Sequence, residues 1–189
     1  MRTSYKIHAG LQLGLGVAAM LVGAFTFVPG APTITNTGPS LGVTFAFLVP
    51  LHAATICRGI ALDFRSGGSV SNKSLQWSAL RALPHSVHVF LVALGLGGAA
   101  LLAAAQADEG SLTGGEAHRG HYDAVDTSDP YRTRIEITRS EYDDLRKQNQ
   151  RTMVAVFGLI AAGGGTLTLV IAELDAASRL PTPPASEWA

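Results

Sequence analysis

Four long windows almost free of charge dominate this chain, at residues 7–28, 41–62, 85–106 and 152–172. At about 1.5 Å per residue, each is long enough as a helix to cross a hydrocarbon core of about 30 Å. Backbone in lipid has to satisfy its own polar groups, so such windows fold as helices and not as irregular chain. Composition points the same way: 47% of the 189 residues are hydrophobic and 15% charged, against about 25% charged in an ordinary soluble domain. The sequence therefore predicts an all-α membrane protein with four transmembrane helices and a small extracytoplasmic loop domain between helices three and four. Formal net charge is zero, which leaves no electrostatic footprint for nucleic acid. The expected partners are membrane lipids and other membrane-protein subunits, or a second copy of the chain.

Arg2 and Lys6 precede the first run, which is about twice as long as the apolar core of a signal peptide and so reads as a retained span. Four spans place both termini on one side. Arg2, Lys6, Arg58, Arg65, Lys73 and Arg81 gather on the face shared by the N-terminus and the 63–84 connector, which predicts cytoplasmic termini. Arg146, Lys147 and Arg151, just before the fourth span, pull the other way. A glycan on the Asn72-Lys73-Ser74 sequon would invert the assignment. Within that connector, residues 74–83 predict a short amphipathic surface helix, with Trp77 at interfacial depth and Lys73 and Arg81 towards anionic headgroups. Residues 29–40 read as an uncharged turn, and residues 173–189 as a disordered cytoplasmic tail. The Ala/Gly/Arg-leaning composition is associated with GC-rich prokaryotes, so a prokaryotic cell membrane is the expected location.

Residues 107–151 hold ten of the fourteen acids and form the one sizeable polar stretch. Its Gly/Asp/Ser/His-rich part, 108–129, reads as irregular loop. Residues 132–138 alternate, with Ile135 and Ile137 on one face, which is a strand signature. Ser140 reads as an N-cap, with Glu141, Asp143 and Asp144 in the first turn where they complement the helix dipole. One continuous helix is expected to run from there into the fourth span.

Three histidines, His8, His52 and His88, fall at similar depth on helical rise. An ionisable group inside a span is costly when unpaired and so marks function by default. The competing reading is a neutral ring hydrogen-bonded to a neighbouring helix. Histidines on facing helices at matched depth can ligate haem iron, which selects His52 and His88. The segment His52-x5-Arg58-x4-Asp63-Phe64 is similar to the His-to-Arg-to-Asp segment of the cytochrome-b anchor subunit of succinate dehydrogenase. That resemblance spans about a dozen residues. It implies haem b on His52, with Arg58 towards a quinone site.

Elsewhere, Glu116, His118, His121 and Asp123 supply a possible ligand set for zinc or copper, with a solvated loop as the plain alternative. The lone Cys57 excludes an internal disulfide and reads as a buried, inert thiol. Small-residue steps at Gly10/Gly14, Gly95/Ala99 and Gly158/Ala162 suit close helix association. The strand carrying Ile135 and Ile137 offers an edge to a partner. Apart from the His and Arg positions, the spans read as Gly, Ala, Ser/Thr and aliphatics, without a polar transport pathway. No phosphate loop, nucleophile elbow or HExxH motif occurs, so no catalytic residue is expected. The leading expectation is a non-catalytic multi-pass subunit or scaffold of a larger membrane assembly, with no cofactor. The alternatives are a haem b-binding electron-transfer anchor subunit and a small oligomeric channel or transporter.

Overall fold

The computed structural model describes residues 2–28, 37–107, 110–118 and 120–179. The elements run α1 (Thr3–Phe25), α2 (Thr37–Ser66), α3 (Lys73–Arg81), α4 (His85–Ala107), β1 (Leu112–His118), β2 (His121–Asp126), β3 (Arg134–Ile137) and α5 (Arg139–Ala177). Four of the helices, α1, α2, α4 and α5, are long and apolar enough to cross a membrane. α3 is the amphipathic segment between α2 and α4, with Asn72 Oδ1 accepting from the backbone N–H of Ser74 as its cap.

The expectation of an all-α chain needs correction, because β1, β2 and β3 form an antiparallel sheet in that order. Residues 108–129, expected to be irregular loop, supply both β1 and β2. The reason is a hairpin: His118 pairs with His121, and Gly120 sits at φ 89°, a conformation a glycine adopts freely in so tight a turn. Tyr122 pairs with Ile137 and Ala124 with Ile135, so the apolar alternation of β3 continues across β2. A lone strand would be marginal; the hairpin supplies its partner. β3 itself is shorter than the predicted 132–138.

α5 begins one residue before Ser140, and its N-cap is Thr138. Thr138 Oγ1 accepts from Glu141 N at 3.3 Å, and Glu141 Oε2 accepts from Thr138 N at 2.7 Å. This capping box satisfies two otherwise orphaned donors reciprocally. The helix then runs without a break to Ala177, so residues 173–177 are helical and not part of a disordered tail; residues 180–189 lie outside the described residues, as do 29–36.

α5 is the hub. Half of its most apolar window is buried inside the chain, against 11% for α4. α1 crosses it antiparallel: Gln12 meets Thr168, and the carbonyl of Thr26 accepts from Arg151 Nη2 at 3.1 Å. At the crossing a Cβ on Gly16 would stand 3.1 Å from the Gly158 carbonyl and 3.3 Å from Ala162 N, so the two backbones meet directly. Of the predicted small-residue contacts, Gly158 lies at this crossing, whereas Gly10, Gly14 and Gly95 face open space. Gly98 takes the close position on α4, against Leu159 and Met20. Cys57 is exposed on the outer surface of α2, contrary to the expectation of burial.

Candidate functional site

Two places hold most of the residues singled out by the sequence: the interface of α1, α2 and α5, and the sheet seated on the start of α5.

At the helix interface Gln12, Thr55 and Thr168 are fully buried, at 0%, 2% and 1% exposure, and His8 is 8% exposed. Polar groups in an apolar bundle are costly unless they bond one another, and these do. His8 Nε2 lies 2.9 Å from Thr55 Oγ1 and 3.0 Å from the Leu51 carbonyl. Gln12 Nε2 donates to Thr55 Oγ1 at 3.3 Å, and Thr168 Oγ1 donates to Gln12 Oε1 at 2.8 Å. The two threonine hydroxyls are 2.8 Å apart. Each hydroxyl carries one proton, so each can also turn to its own i−4 carbonyl, Leu51 for Thr55 and Gly164 for Thr168. The cluster therefore ties three helices together through a single closed network.

Gly164 makes room for it. A Cβ there would collide with the His52 ring and stand 2.9 Å from Gln12 Nε2. His52 Nδ1 lies 2.9 Å from the Leu48 carbonyl one turn back, and Nε2 lies 3.1 Å from the Ile160 carbonyl of α5. A neutral imidazole has one N–H and donates to one of these at a time. Arg58 completes the polar end of the interface: its guanidinium lies 5.0 Å from the centroid of the Tyr5 ring, and its Nη1 is buried without a hydrogen bond among the described residues.

Gln12, Thr55 and Thr168 were not singled out in the sequence, and Gln12 breaks the expectation of spans built only from small and aliphatic residues. One signal was present: a glutamine within an apolar window is a costly residue in the same sense as a histidine.

His88 lies elsewhere. Its Nδ1 is 3.2 Å from the Pro84 carbonyl just before α4, and α4, like α2, packs on α1 and α5. His52 directs its ring nitrogens at the Leu48 and Ile160 carbonyls, so ligating an iron would need the ring turned away from one of them.

On the sheet, Glu116 pairs with Asp123 and His118 with His121, which puts all four on one face of the hairpin. That face is largely solvent-exposed, and two of the four are already engaged: Arg134 Nη2 lies 2.9 Å from Glu116 Oε2, and His121 Nδ1 lies 2.8 Å from Glu136 Oε1. The Glu136 carboxylate holds His121 above the usual histidine range. No group of three or more His, Cys, Asp or Glu is arranged around a metal position among the described residues.

The opposite face buries Ala124, Ile137 and Leu145, flanked by Leu112, Tyr122 and Tyr142. Tyr122 and Tyr142 stack at 4.9 Å between ring centroids. Gly115 allows the approach of α5, since a Cβ there would lie 3.1 Å from the Tyr142 ring. Ile137 belongs to this core, while Ile135 remains 36% exposed beside it on an edge strand.

No family model, curated protein or solved structure matches the chain.

Proposed function

We propose that this chain is a non-catalytic multi-pass membrane subunit or scaffold, holding an extracytoplasmic docking unit on a membrane bundle, with both termini in the cytoplasm. One observation carries the reading: α5 is a single unbroken helix that packs the sheet at one end and forms the centre of the bundle at the other. A partner on the sheet is thereby held at a fixed angle to the bundle. Supporting this, β1 and β3 each leave one edge without a strand partner among the described residues, and Tyr131 beside β3 is 91% exposed. Edge strands with exposed apolar neighbours are the usual place for strand addition by another chain. The polar network of α1, α2 and α5 is closed on itself, which suits a lock between helices more than a transport path.

The orientation rests on the basic residues Arg2, Lys6, Arg58, Arg65, Lys73 and Arg81 at one end. The test places a photo-crosslinking residue at Ile135 or Tyr131 in the full chain, in its native membranes. A discrete crosslinked protein, lost when the probe moves to Phe64 at the far end of α2, is the expected result. Crosslinks to lipid alone, with a stable monomer in mild detergent, would contradict the docking reading.

A further inference from the structure

Lys73, Trp77 and Arg81 stand four residues apart on α3 and so share one line of that helix. The Arg81 guanidinium lies 5.1 Å from the centroid of the Trp77 ring. α3 itself lies against the last turns of α5, with Ala79 and Leu80 packed among Val170, Ile171 and Leu174. Beside that contact the two helices leave an open cleft of about 390 Å³, walled by Lys73, Trp77 and Leu80 of α3 and by Gly163, Leu167 and Val170 of α5.

The walls of the cleft sort by polarity. Thr166 also lines it, but its hydroxyl donates to the Ala162 carbonyl at 2.8 Å, and the Gln76 amide is taken by the Val70 carbonyl. The α5 side is therefore effectively apolar. Lys73 at the mouth supplies a cation, and no Asp or Glu lines the cleft. With the chain inserted, an amphipathic helix bearing a tryptophan sits at the headgroup boundary. A basic mouth over an apolar groove at that depth matches a lipid carrying negative charge.

We propose that this cleft binds an anionic phospholipid, its phosphate at Lys73 and an acyl chain along Gly163, Leu167 and Val170. This rests on the membrane insertion proposed above, and is independent of any partner on the sheet.

The test is native mass spectrometry of the full chain in detergent doped with equal phosphatidylglycerol and phosphatidylcholine of identical chains. Wild type retains phosphatidylglycerol in preference. Lys73 is exposed and its removal leaves the helix intact, so K73Q and K73A each lower that preference roughly fivefold, the worth of one cation near an anionic surface. G163L fills the groove, since nothing lies within 4 Å of a Cβ at Gly163, and it lowers retention of both lipids. Equal retention of the two lipids by wild type, or unchanged retention in the lysine variants and G163L, overturns the site. Displacement of phosphatidylglycerol by an equal concentration of inorganic phosphate overturns it too, by showing a bare anion site. Wild type that inserts into vesicles without lipid preference defeats the cleft alone; wild type that fails to insert defeats the membrane reading beneath it.

Discussion

The two halves of α5 pack by different rules although they are one helix. Near its start, the residues turned to the sheet are large: Tyr142 and Leu145 meet Tyr122, Ala124 and Ile137. From Ala155 to Thr168 the buried positions are Ala155, Gly158, Ala161, Ala162, Gly164, Gly165 and Thr168, and apolar bulk returns only beyond them, where Val170, Ile171 and Leu174 meet Leu62 and Ala79. The first half excludes water by bringing apolar bulk together, which is what drives packing in an aqueous surrounding. That middle stretch, under the proposed insertion, gains nothing from hiding apolar surface, because lipid is as apolar as leucine. Close backbone approach and shared hydrogen bonds replace bulk there. Under that insertion, the change of code along one helix falls where water gives way to lipid.

The sharpest way to break this comparison is to shrink the core of the sheet. Leu145→Ala removes a side chain that is 8% exposed from a cluster with few other members, and should cost about 3 kcal/mol, within the range for leucine truncation in a core. Hydrogen exchange should then show loss of protection in β1–β3 while the amides of α1 and the apolar half of α5 stay protected. Simultaneous loss in both regions would mean the halves are not separate packing units.

Next in size is the converse change in the bundle. Gly16→Leu forces bulk against the Gly158 carbonyl and Ala162 N, atoms of a backbone that cannot turn aside. Overpacking of this kind should cost about 2 kcal/mol, read as earlier unfolding in SDS titration, with the sheet unaffected. The same leucine at Gly10, which faces open space, should be near neutral. If Gly10→Leu is the more damaging of the two, that face is covered by something outside the chain.

A smaller effect is expected from the polar lock. Thr168→Val keeps the shape and removes the hydroxyl that reaches Gln12, Thr55 and Gly164. Hydrogen bonds between membrane helices are individually modest, so a loss of about 1 kcal/mol is predicted by the same SDS titration. Double variants with Thr55→Val should be non-additive, because both hydroxyls belong to one network.

Smallest of all is the exposed pair on the outer face of the sheet. His121 titrates above the usual histidine value because the Glu136 carboxylate bonds it. A raised folded value means the pair favours the fold fully below the unfolded pKa of about 6.5, and the contribution fades as pH rises through the folded value. NMR titration of the His121 ring should show this raised midpoint, and Glu136→Gln should bring it down. An identical midpoint in both would show that the pair does not form in solution.

The four apolar helices were legible because twenty-residue windows without charge have few other fates. The continuity of α5 was legible too, since no Gly or Pro intervenes between Ser140 and Gly158. The hairpin was not. β1 carries Gly114 and Gly115 and a register shift between Thr113 and Glu116, so its period-two pattern is broken in the sequence. The clue that survived was Gly120, a turn residue between two histidines that face each other. The cap was misplaced because both Ser140 and Thr138 precede acids, and the Thr-x-x-Glu spacing of Thr138 and Glu141 is the one that closes a reciprocal pair. The polar cluster was hidden for a different reason. Gln12, Thr55 and Thr168 lie on three helices, 43 to 156 residues apart, and threonine in an apolar helix is unremarkable until its neighbour is known.

The docking function depends on α5 being one rigid rod from the sheet to the far end of the bundle. The direct measurement is a spin-label distance between Ser140→Cys and Ala177→Cys in the reconstituted full chain, with Cys57 replaced by Ala. Unbroken helix over that interval gives a narrow distribution near 55 Å, from about 1.5 Å of rise per residue. A broad distribution, or a peak well below about 45 Å, would show a break in α5 and contradict a docking unit held rigidly on the bundle.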